Sequence, residues 1–333
     1  MQVAFFGTPE FAVPSLQRLL AQPGIAVRAV VTQPDRPRGR GKQLQPPPVK
    51  ELAQSHGVPV WQPQRLRDDR DTLAQLAQLQ ADAVTVMAYG QILPPAVLSQ
   101  PRLGCVNVHA SLLPRHRGAS PVAWSLYNGD AETGVTTMLM EPGMDTGPIL
   151  LRARTAVGLL ENARELSQRL ADLGADRLVE TLQQLERGTL TPQPQDPAQA
   201  SYAPLLRKQH YALDWSRPAL AIHNQVRGFY PNSTARFRQQ PLKIRATVPL
   251  AASVRSQLPT EWQSQLAQHD WPPEGAARPG EIAGTLKSLG PAVQTGDGLL
   301  LLHALQPSGK RAQSGADFAN GMRPVAGERF ENG

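Results

Sequence analysis

The chain has 333 residues, of which 41% are hydrophobic and 5% aromatic, and its net charge at pH 7 is +7. This length and composition predict a globular protein with room for two domains, and they exclude a disordered or fibrous chain. No run of about eighteen apolar residues occurs, and the N-terminus lacks the basic start and apolar stretch of a signal peptide. We therefore expect a cytoplasmic protein with no membrane partner. The single cysteine, Cys105, excludes an intramolecular disulfide.

Short apolar segments alternate with helix-like segments in the first half of the chain. Apolar runs predict strands at 2–7, 26–33, 58–61, 82–90 and 105–111. Apolar residues at helical spacing predict helices at 11–20, 49–57 and 69–80. Continuous apolar strands separated by helices are typical of a parallel sheet that is covered on both faces. The sequence thus predicts an α/β fold with an open, mostly parallel, Rossmann-like sheet. A G-x-G-x-x-G turn is missing after the first strand, which argues against a dinucleotide site.

The second part of the chain has a different pattern. A long helix with regularly spaced leucines is predicted at 161–187, and a segment rich in Pro and Gln follows at 188–204. That segment has little to bury, which is typical of a linker. Beyond it, a short helix at 218–229 precedes several short β-like runs, for which a small OB-like β-barrel is the simplest closure. We predict one domain at 1–187, a linker, and a second domain at 205–333.

The excess of positive charge lies in the second domain. Lys and Arg number 19 against 18 Asp and Glu in residues 1–204, and 15 against 9 in residues 205–333. A basic C-terminal domain beside a nearly neutral N-terminal one favours an acidic partner, nucleic acid before membrane. The alternative is an Arg-rich protein whose surface is simply basic, since the chain has 28 arginines and six lysines. Charge alone leaves both interpretations open.

Polar residues gather where the strand at 105–111 ends, in NVHASLLPRHRG. Residues i and i+2 of a strand share a face, so Asn107 and His109 stand side by side. A later strand, TGVTTMLM, is followed by a loop with Asp145, which reaches this pair if the loop folds back over the strand ends. An amide that stabilises an oxyanion, an imidazole that passes a proton and a carboxylate that orients it suit acyl transfer. Taken singly, a lone histidine on a strand is more often a hydrogen-bonded structural residue, and an aspartate after Gly-Met is more often a loop cap.

The motif NVHASLLPRHRG followed by GMDTGPI resembles the formyltransferases that use 10-formyltetrahydrofolate, whose signature is an Asn-x-His strand, an SLLP turn and a following loop Asp. The segments FFGTPEFAVPSL, VVTQPDRPRGRGK and VMAYGQILP extend the resemblance over nearly the full length. It implies that Asn107, His109 and Asp145 are catalytic. It also implies 10-formyltetrahydrofolate as the formyl donor, initiator methionyl-tRNA as the acceptor, and no metal. We expect a monomer.

The resemblance also implies binding roles for further residues. The folate site is expected to include Met87, Ala88, Tyr89, Gly90, Ser111, Leu112, Leu113 and Pro114. In the family that the chain resembles, a basic loop reaches the tRNA acceptor end, and here that loop carries Arg36, Arg38, Arg40 and Lys42. A solvated surface loop is the alternative from composition alone. In the second domain, the residues expected to bind tRNA are Arg236, Arg238, Lys243 and Arg245.

Other acceptors and another class of protein stay open. A formyltransferase for an amino-sugar nucleotide or another small amine would use the same three catalytic residues, whereas a non-catalytic RNA-binding module would use only the basic barrel. The chain also departs from the family pattern near 158–165 and near 228–234, where GFYPNSTARF replaces a Pro-Trp-Pro-Gly segment. These departures concern domain packing and tRNA contact rather than the catalytic residues.

Overall fold

The computed structural model of the chain describes residues 1–38, 41, 43–269, 271 and 277–333. The chain divides into two compact units, and each is described by itself. The first unit comprises Met1–Pro121, Thr133–Thr155 and Ser167–Ala203. The second comprises Val122–Glu132, Ala156–Leu166 and Pro204–Gly333. Two short segments from the first half of the chain therefore belong to the second unit.

The strands of the first unit are β1 Gln2–Gly7, β2 Ala26–Val31, β3 Arg36–Arg38, β4 Gln43–Gln45, β5 Val60–Trp61, β6 Ala83–Met87, β7 Cys105–His109, β8 Glu132–Leu139 and β9 Ile149–Ala156. Strands β1, β2, β5, β6 and β7 coincide with the apolar runs of the sequence, β8 corresponds to the later strand TGVTTMLM, and β3, β4 and β9 are additional strands. Among the described residues, seven of these strands form one sheet in the order β5-β2-β1-β6-β7-β8-β9. Strands β5, β2, β1, β6 and β7 pair in parallel, and β8 pairs antiparallel with β7. The predicted mostly parallel sheet is confirmed.

Helices cover both faces of this sheet. Among the described residues, the helices of the first unit are α1 Val13–Ala21, α2 Pro48–Ser55, α3 Arg70–Leu79, α4 Pro95–Leu98 and most of α6 Ala163–Glu186, whereas α5 Pro121–Tyr127 lies almost entirely in the second unit. On one face, Leu178 and Leu182 of α6 belong to a core cluster with Val106 and Val108 of β7. On the other face, Leu76 of α3 packs in a separate cluster with residues of β1 and β6. This coverage explains why the parallel strands are apolar throughout.

The strand order reverses at β1, which lies between β2 and β6. The loops that follow β1 and β6 therefore leave the carboxyl edge of the sheet in opposite directions, and a crevice opens between them. In open α/β sheets, ligands bind in such a crevice. The fold thus places the loops after β1, β2, β6 and β7 at the edge where a site is expected.

The second unit contains an antiparallel sheet in the order β12-β13-β14-β11-β10-β16, with β15 paired to β14. Its elements are α7 Ala219–Gly228, β10 Thr234–Phe237, β11 Gln240–Pro249, α8 Thr260–Gln268, β12 Ile282–Leu286, β13 Gly290–Gln294, β14 Leu299–Pro307, β15 Gln313–Ser314, α9 Gly315–Met322 and β16 Phe330–Asn332. Glu281 bridges Arg329, and Phe330 N donates to Gly280 O over 2.7 Å. The sheet therefore curls until its edge strands meet, as predicted for a small barrel. Among the described residues, no helix is long and apolar enough to cross a membrane.

Candidate active site

His109 is the last residue of β7 and is 6% exposed. Its Nε2 lies 2.9 Å from the carbonyl oxygen of His116, and its Nδ1 lies 3.7 Å from Oδ2 of Asp145. A carbonyl oxygen only accepts hydrogen bonds, so Nε2 carries the hydrogen. Nδ1 is therefore the nitrogen that faces the carboxylate and that remains available for proton transfer. The structure thus brings His109 and Asp145 together, as the sequence suggested.

Asp145 is held at its backbone and at its carboxylate. Its φ is +54°, in the left-handed region that residues with a Cβ rarely adopt. Oδ2 accepts a hydrogen bond from Gly118 N over 2.8 Å, and the backbone oxygen accepts one from Gln195 Nε2, also over 2.8 Å. The sequence alone assigns no role to Gln195. The carboxylate beside His109 is thus fixed by contacts from two other segments of the chain.

Asn107 lies two residues before His109 on β7 and so shares its face of the sheet. Val106 and Val108 alternate with them and belong to the core cluster on the opposite face. The side-chain oxygen of Asn107 is buried and has no hydrogen-bond partner among the residues that the structure describes. A buried polar atom normally has a partner, so an unpaired oxygen beside a histidine suits a ligand with an N–H group.

The turn after β7 is tied to β8. Thr136 Oγ1 donates to Ser111 O over 2.7 Å and accepts from Leu113 N over 3.1 Å. The Leu113 side chain is 1% exposed and packs in a cluster with Met138 and Ile149. The Leu113 side chain therefore lies in the core, and its backbone carbonyl accepts hydrogen bonds from the Arg152 guanidinium. Two other residues of this turn were predicted to belong to the folate site: Leu112 is partly exposed, and Pro114 is buried.

The loop after β6 is fixed by the loops after β1 and β2. Thr8 Oγ1 and Gln33 Nε2 both donate to the backbone oxygen of Tyr89, over 3.0 and 3.3 Å. The Tyr89 ring packs edge-on against Phe6, and burial raises the pKa of its hydroxyl. On either side, Ala88 and Gly90 are exposed and have positive φ, whereas Met87 is part of the core. A cavity of about 300 Å³ opens here, lined in part by Thr8, Gln33, Arg36, Gln45, Ala88, Tyr89 and Gly90.

The predicted tRNA-binding loop is partly described. Strands β3 and β4 form a hairpin in which Arg36 pairs with Gln45, and the Arg36 guanidinium donates to Gln33 Oε1 over 3.1 Å. Arg38 lies in β3. Arg40 and Lys42 lie outside the described residues. The roles of these four residues stay predictions.

The four basic residues predicted to bind tRNA in the second unit differ in their partners. Arg236 lies 3.7 Å from a carboxylate oxygen of Glu331, and Arg238 forms an ion pair of 2.8 Å with Glu328. In contrast, Lys243 donates to Asn232 Oδ1, and Arg245 donates to the hydroxyl of Tyr230 and to Gln306. The pairing of Thr234 with Lys243 places Arg236 and Lys243 on the same face of the sheet. The charges of Lys243 and Arg245 are thus not balanced by these neutral partners.

Comparisons with known proteins address the family of the chain. Residues 1–182 match the family model "Formyl transferase", and residues 205–323 match "Formyl transferase, C-terminal domain". The chain is 57% identical over 333 residues to the methionyl-tRNA formyltransferase of a Cyanothece species, with 99% of each chain covered. It is 54% identical over 333 residues to that of Trichormus variabilis, with 100% of each covered. A crystal structure of the sugar 3N-formyl transferase WlaRD, with dTDP and 5-N-formyl-THF, is similar in fold: the TM-score is 0.64 at 17% identity, covering 93% of this chain and 99% of that one. The resemblance inferred from the sequence motifs is confirmed, and the chain belongs to the formyl transferase family.

Proposed function

We propose that the chain transfers the formyl group of 10-formyltetrahydrofolate to the α-amino group of methionine on initiator methionyl-tRNA. The proposal is supported by identities of 57% and 54% over the full chain to methionyl-tRNA formyltransferases. The observation that carries the chemistry is the distance of 3.7 Å between His109 Nδ1 and Asp145 Oδ2. His109 lies on the strand that also presents Asn107, and Asp145 lies on a loop that reaches it. Since the sugar formyltransferase is only 17% identical, it supports the fold and not a sugar acceptor.

The reaction needs one bond to form and one to break. The methionine amine attacks the formyl carbon, and the carbonyl electron pair moves to oxygen to give a tetrahedral intermediate. The intermediate collapses when the bond to the folate nitrogen breaks, and the proton lost by the amine moves to that nitrogen. The amide of Asn107 stabilises the oxyanion through its N–H groups, while its oxygen accepts from the attacking amine.

His109 and Asp145 serve the proton movement. Because Nε2 of His109 is engaged by the His116 carbonyl, Nδ1 takes and returns the proton. The Asp145 carboxylate faces Nδ1 and stabilises the positive charge that the ring gains. The side chain of Asp145 is 21% exposed, so a water molecule can reach it and relay the proton.

The binding residues follow the same placement. We assign the folate to the backbone of residues 87–90 and to residues 111–114, which follow the carboxyl ends of the neighbouring strands β6 and β7. We assign the acceptor end of the tRNA to the hairpin that begins at Arg36, and the body of the tRNA to the basic residues of β10 and β11. An enzyme with this acceptor acts where translation starts, and we therefore also propose a cytoplasmic location.

A comparison of acceptors tests the proposal. Purified protein is incubated with 10-formyltetrahydrofolate and, in parallel, with methionyl-tRNA, glycinamide ribonucleotide or an amino-sugar nucleotide. We expect formyl transfer to methionyl-tRNA alone. Transfer to a small amine with no transfer to methionyl-tRNA would overturn the proposed acceptor, and transfer to none of them would overturn the proposed activity.

A further inference from the structure

Residues 193–203 lie along the candidate active site, although their composition is typical of a linker. We call this segment the strap. At its start, Gln193 and Ile149 exchange two backbone hydrogen bonds of 2.8 Å. Near its end, Arg117 N donates to Ser201 O over 2.8 Å, and Ala203 N donates to Arg117 O over 2.7 Å. The strap is therefore attached both to the start of β9 and to the loop that follows β7.

Between these attachments, the side chain of Gln195 contacts the loop that carries Asp145. Its Nε2 donates to the backbone oxygens of Asp145 and Gly147, over 2.8 Å each. Its Oε1 accepts from Nε and a terminal nitrogen of Arg117, over 3.0 and 2.7 Å. A guanidinium only donates and a carbonyl only accepts, so the orientation of the amide is fixed by its neighbours. Both N–H groups and the oxygen of this amide are in use.

The hydrogen bonds of Gln195 hold the backbone from which the Asp145 carboxylate extends towards His109. Asp145 has a φ of +54°, in the left-handed region that few residues with a Cβ adopt, although Asp does so more often than most. Gln195 holds the loop at two points, Asp145 and Gly147, on either side of Thr146. These two hydrogen bonds therefore restrain the backbone from which the Asp145 side chain extends.

Arg117 connects the side-chain amide of Gln195 to the loop after β7, which contacts His109. It is 5% exposed and stands between His116, whose carbonyl meets His109 Nε2, and Gly118, whose N–H meets Asp145 Oδ2. Through Arg117, Gln195 thus joins the loop that holds His109 to the loop that holds Asp145. No carboxylate or hydroxyl could replace this amide, since neither offers two donors and an acceptor in fixed directions.

We propose that Gln195 is a positioning residue for formyl transfer, oriented by Arg117, which keeps the Asp145 carboxylate facing His109. This inference rests on the proposed role of Asp145 and extends it to a segment outside the motifs. The polar atoms of the Gln195 side chain are all engaged by Arg117, Asp145 and Gly147, so we expect its loss to act on turnover through Asp145 and not on the binding of either substrate.

The test uses the full-length protein with Gln195→Ala and Gln195→Glu. The glutamate of the second variant has nearly the same size as glutamine and can still accept hydrogen bonds from Arg117. However, a carboxylate oxygen replaces the NH₂ group that donates to the carbonyls of Asp145 and Gly147. We expect both variants to lower kcat by about 10- to 100-fold, as for a misplaced catalytic group, with KM for methionyl-tRNA changed by less than about twofold. Gln193→Ala is the matched control, because Gln193 is exposed and pairs with Ile149 only through its backbone. It should retain the parent kcat.

A double-mutant cycle separates positioning from general support of the fold. In an Asp145→Asn background, adding Gln195→Ala should lower kcat no further, because the carboxylate that Gln195 aims is gone. Thermal unfolding and circular dichroism confirm that each variant is folded, and Gln195→Glu serves if the Ala variant is not. Normal kcat in Gln195→Glu, or a full additional loss in the double variant, would overturn the proposal. If Asp145→Asn alone keeps parent turnover, the proposed catalytic role of Asp145 fails instead.

Discussion

Acidification should destabilise the second unit through His223 of α7. The ring is 2% exposed, with Nε2 2.8 Å from Leu159 O and Nδ1 2.9 Å from Thr247 Oγ1. Because the Leu159 carbonyl only accepts, Nε2 carries the hydrogen of the neutral ring, and Nδ1 accepts from the Thr247 hydroxyl. A second proton would have to enter at Nδ1, inside the core and near Arg227. Burial, assisted by the charge of Arg227, lowers the pKa of His223 to about 4.

The size of this loss of stability follows from the difference between the pKa of His223 in the folded chain and its pKa in the unfolded chain. In the unfolded chain the histidine has its ordinary pKa of 6.5, so the unfolded state binds the proton more tightly than the folded state does. The contribution of the neutral His223 ring to the free energy of unfolding is therefore fully present above pH 6.5, and it is lost as the pH falls from 6.5 towards 4. Relative to pH 7, the loss in the free energy of unfolding is about 2 kcal/mol at pH 5 and about 3 kcal/mol at pH 4.

Denaturant unfolding at pH 7 and pH 5 measures this loss, with His223→Gln as the reference protein. A glutamine can donate to Leu159 O and accept from Thr247, but it does not titrate. Carboxylates and other histidines titrate alike in both proteins, so the difference between the two isolates His223. We expect the variant to lose about 2 kcal/mol less than the parent between these pH values. An equal loss in both proteins would refute the reasoning.

Further substitutions test the site and the basic surface. His109→Ala and Asp145→Asn should each lower kcat by about 100-fold or more, with normal circular dichroism, since each removes a positioned proton-transfer group; parent turnover in either would remove that residue from the mechanism. Leu113→Asp should destabilise the protein by about 3 to 5 kcal/mol, because it places an unpaired charge in the core, and a melting temperature near the parent value would contradict this packing. The double variant Lys243→Gln with Arg245→Gln should weaken tRNA binding. It should also reduce the slope of log K against log salt concentration by about 0.7 to 0.9 for each phosphate that is no longer neutralised. An unchanged slope in filter binding at several salt concentrations would exclude a role for these residues in phosphate binding.

The fold could be predicted where burial leaves a pattern in the sequence. The run at 2–7 and the strand β1 coincide, and the long helix predicted at 161–187 is α6, Ala163–Glu186. The elements that were missed have weaker patterns. Strand β9 lies at the edge of the sheet and, after two buried residues, alternates half-buried and exposed residues, with Arg152 and Arg154 at exposed positions. Helix α5 spans only Pro121–Tyr127, too short to show a helical period, and the polar segment at 252–280 contains α8.

The site could be predicted only in part, for a related reason. The adjacency of Asn107 and His109 follows from the period of a strand, and no tertiary contact is needed to infer it. The approach of Asp145 depends on the path of a loop, which motifs suggested and spacing alone did not. Gln195 left no signal at all, because a glutamine between prolines has the composition of a linker. Its role becomes visible only through its hydrogen bonds to residues 50 positions away.

Gly118 offers a test of how closely the strap and the catalytic loop must fit. Its φ is +118°, and a Cβ at this position would lie 2.9 Å from the backbone oxygen of Ala203 and 3.4 Å from Sδ of Met144. Gly118→Ala should therefore lower stability by about 1 to 3 kcal/mol through strain, and it should also lower kcat, because the N–H that holds Asp145 moves with the loop. Gly188→Ala is the matched control, since Gly188 also has a positive φ of +67° but nothing within 4 Å of the added Cβ. We expect the control to lose stability and keep its kcat, as measured by thermal unfolding and formyl transfer. If Gly118→Ala keeps its kcat as well, then the contact between Gly118 and Asp145 does not set the geometry of the reaction.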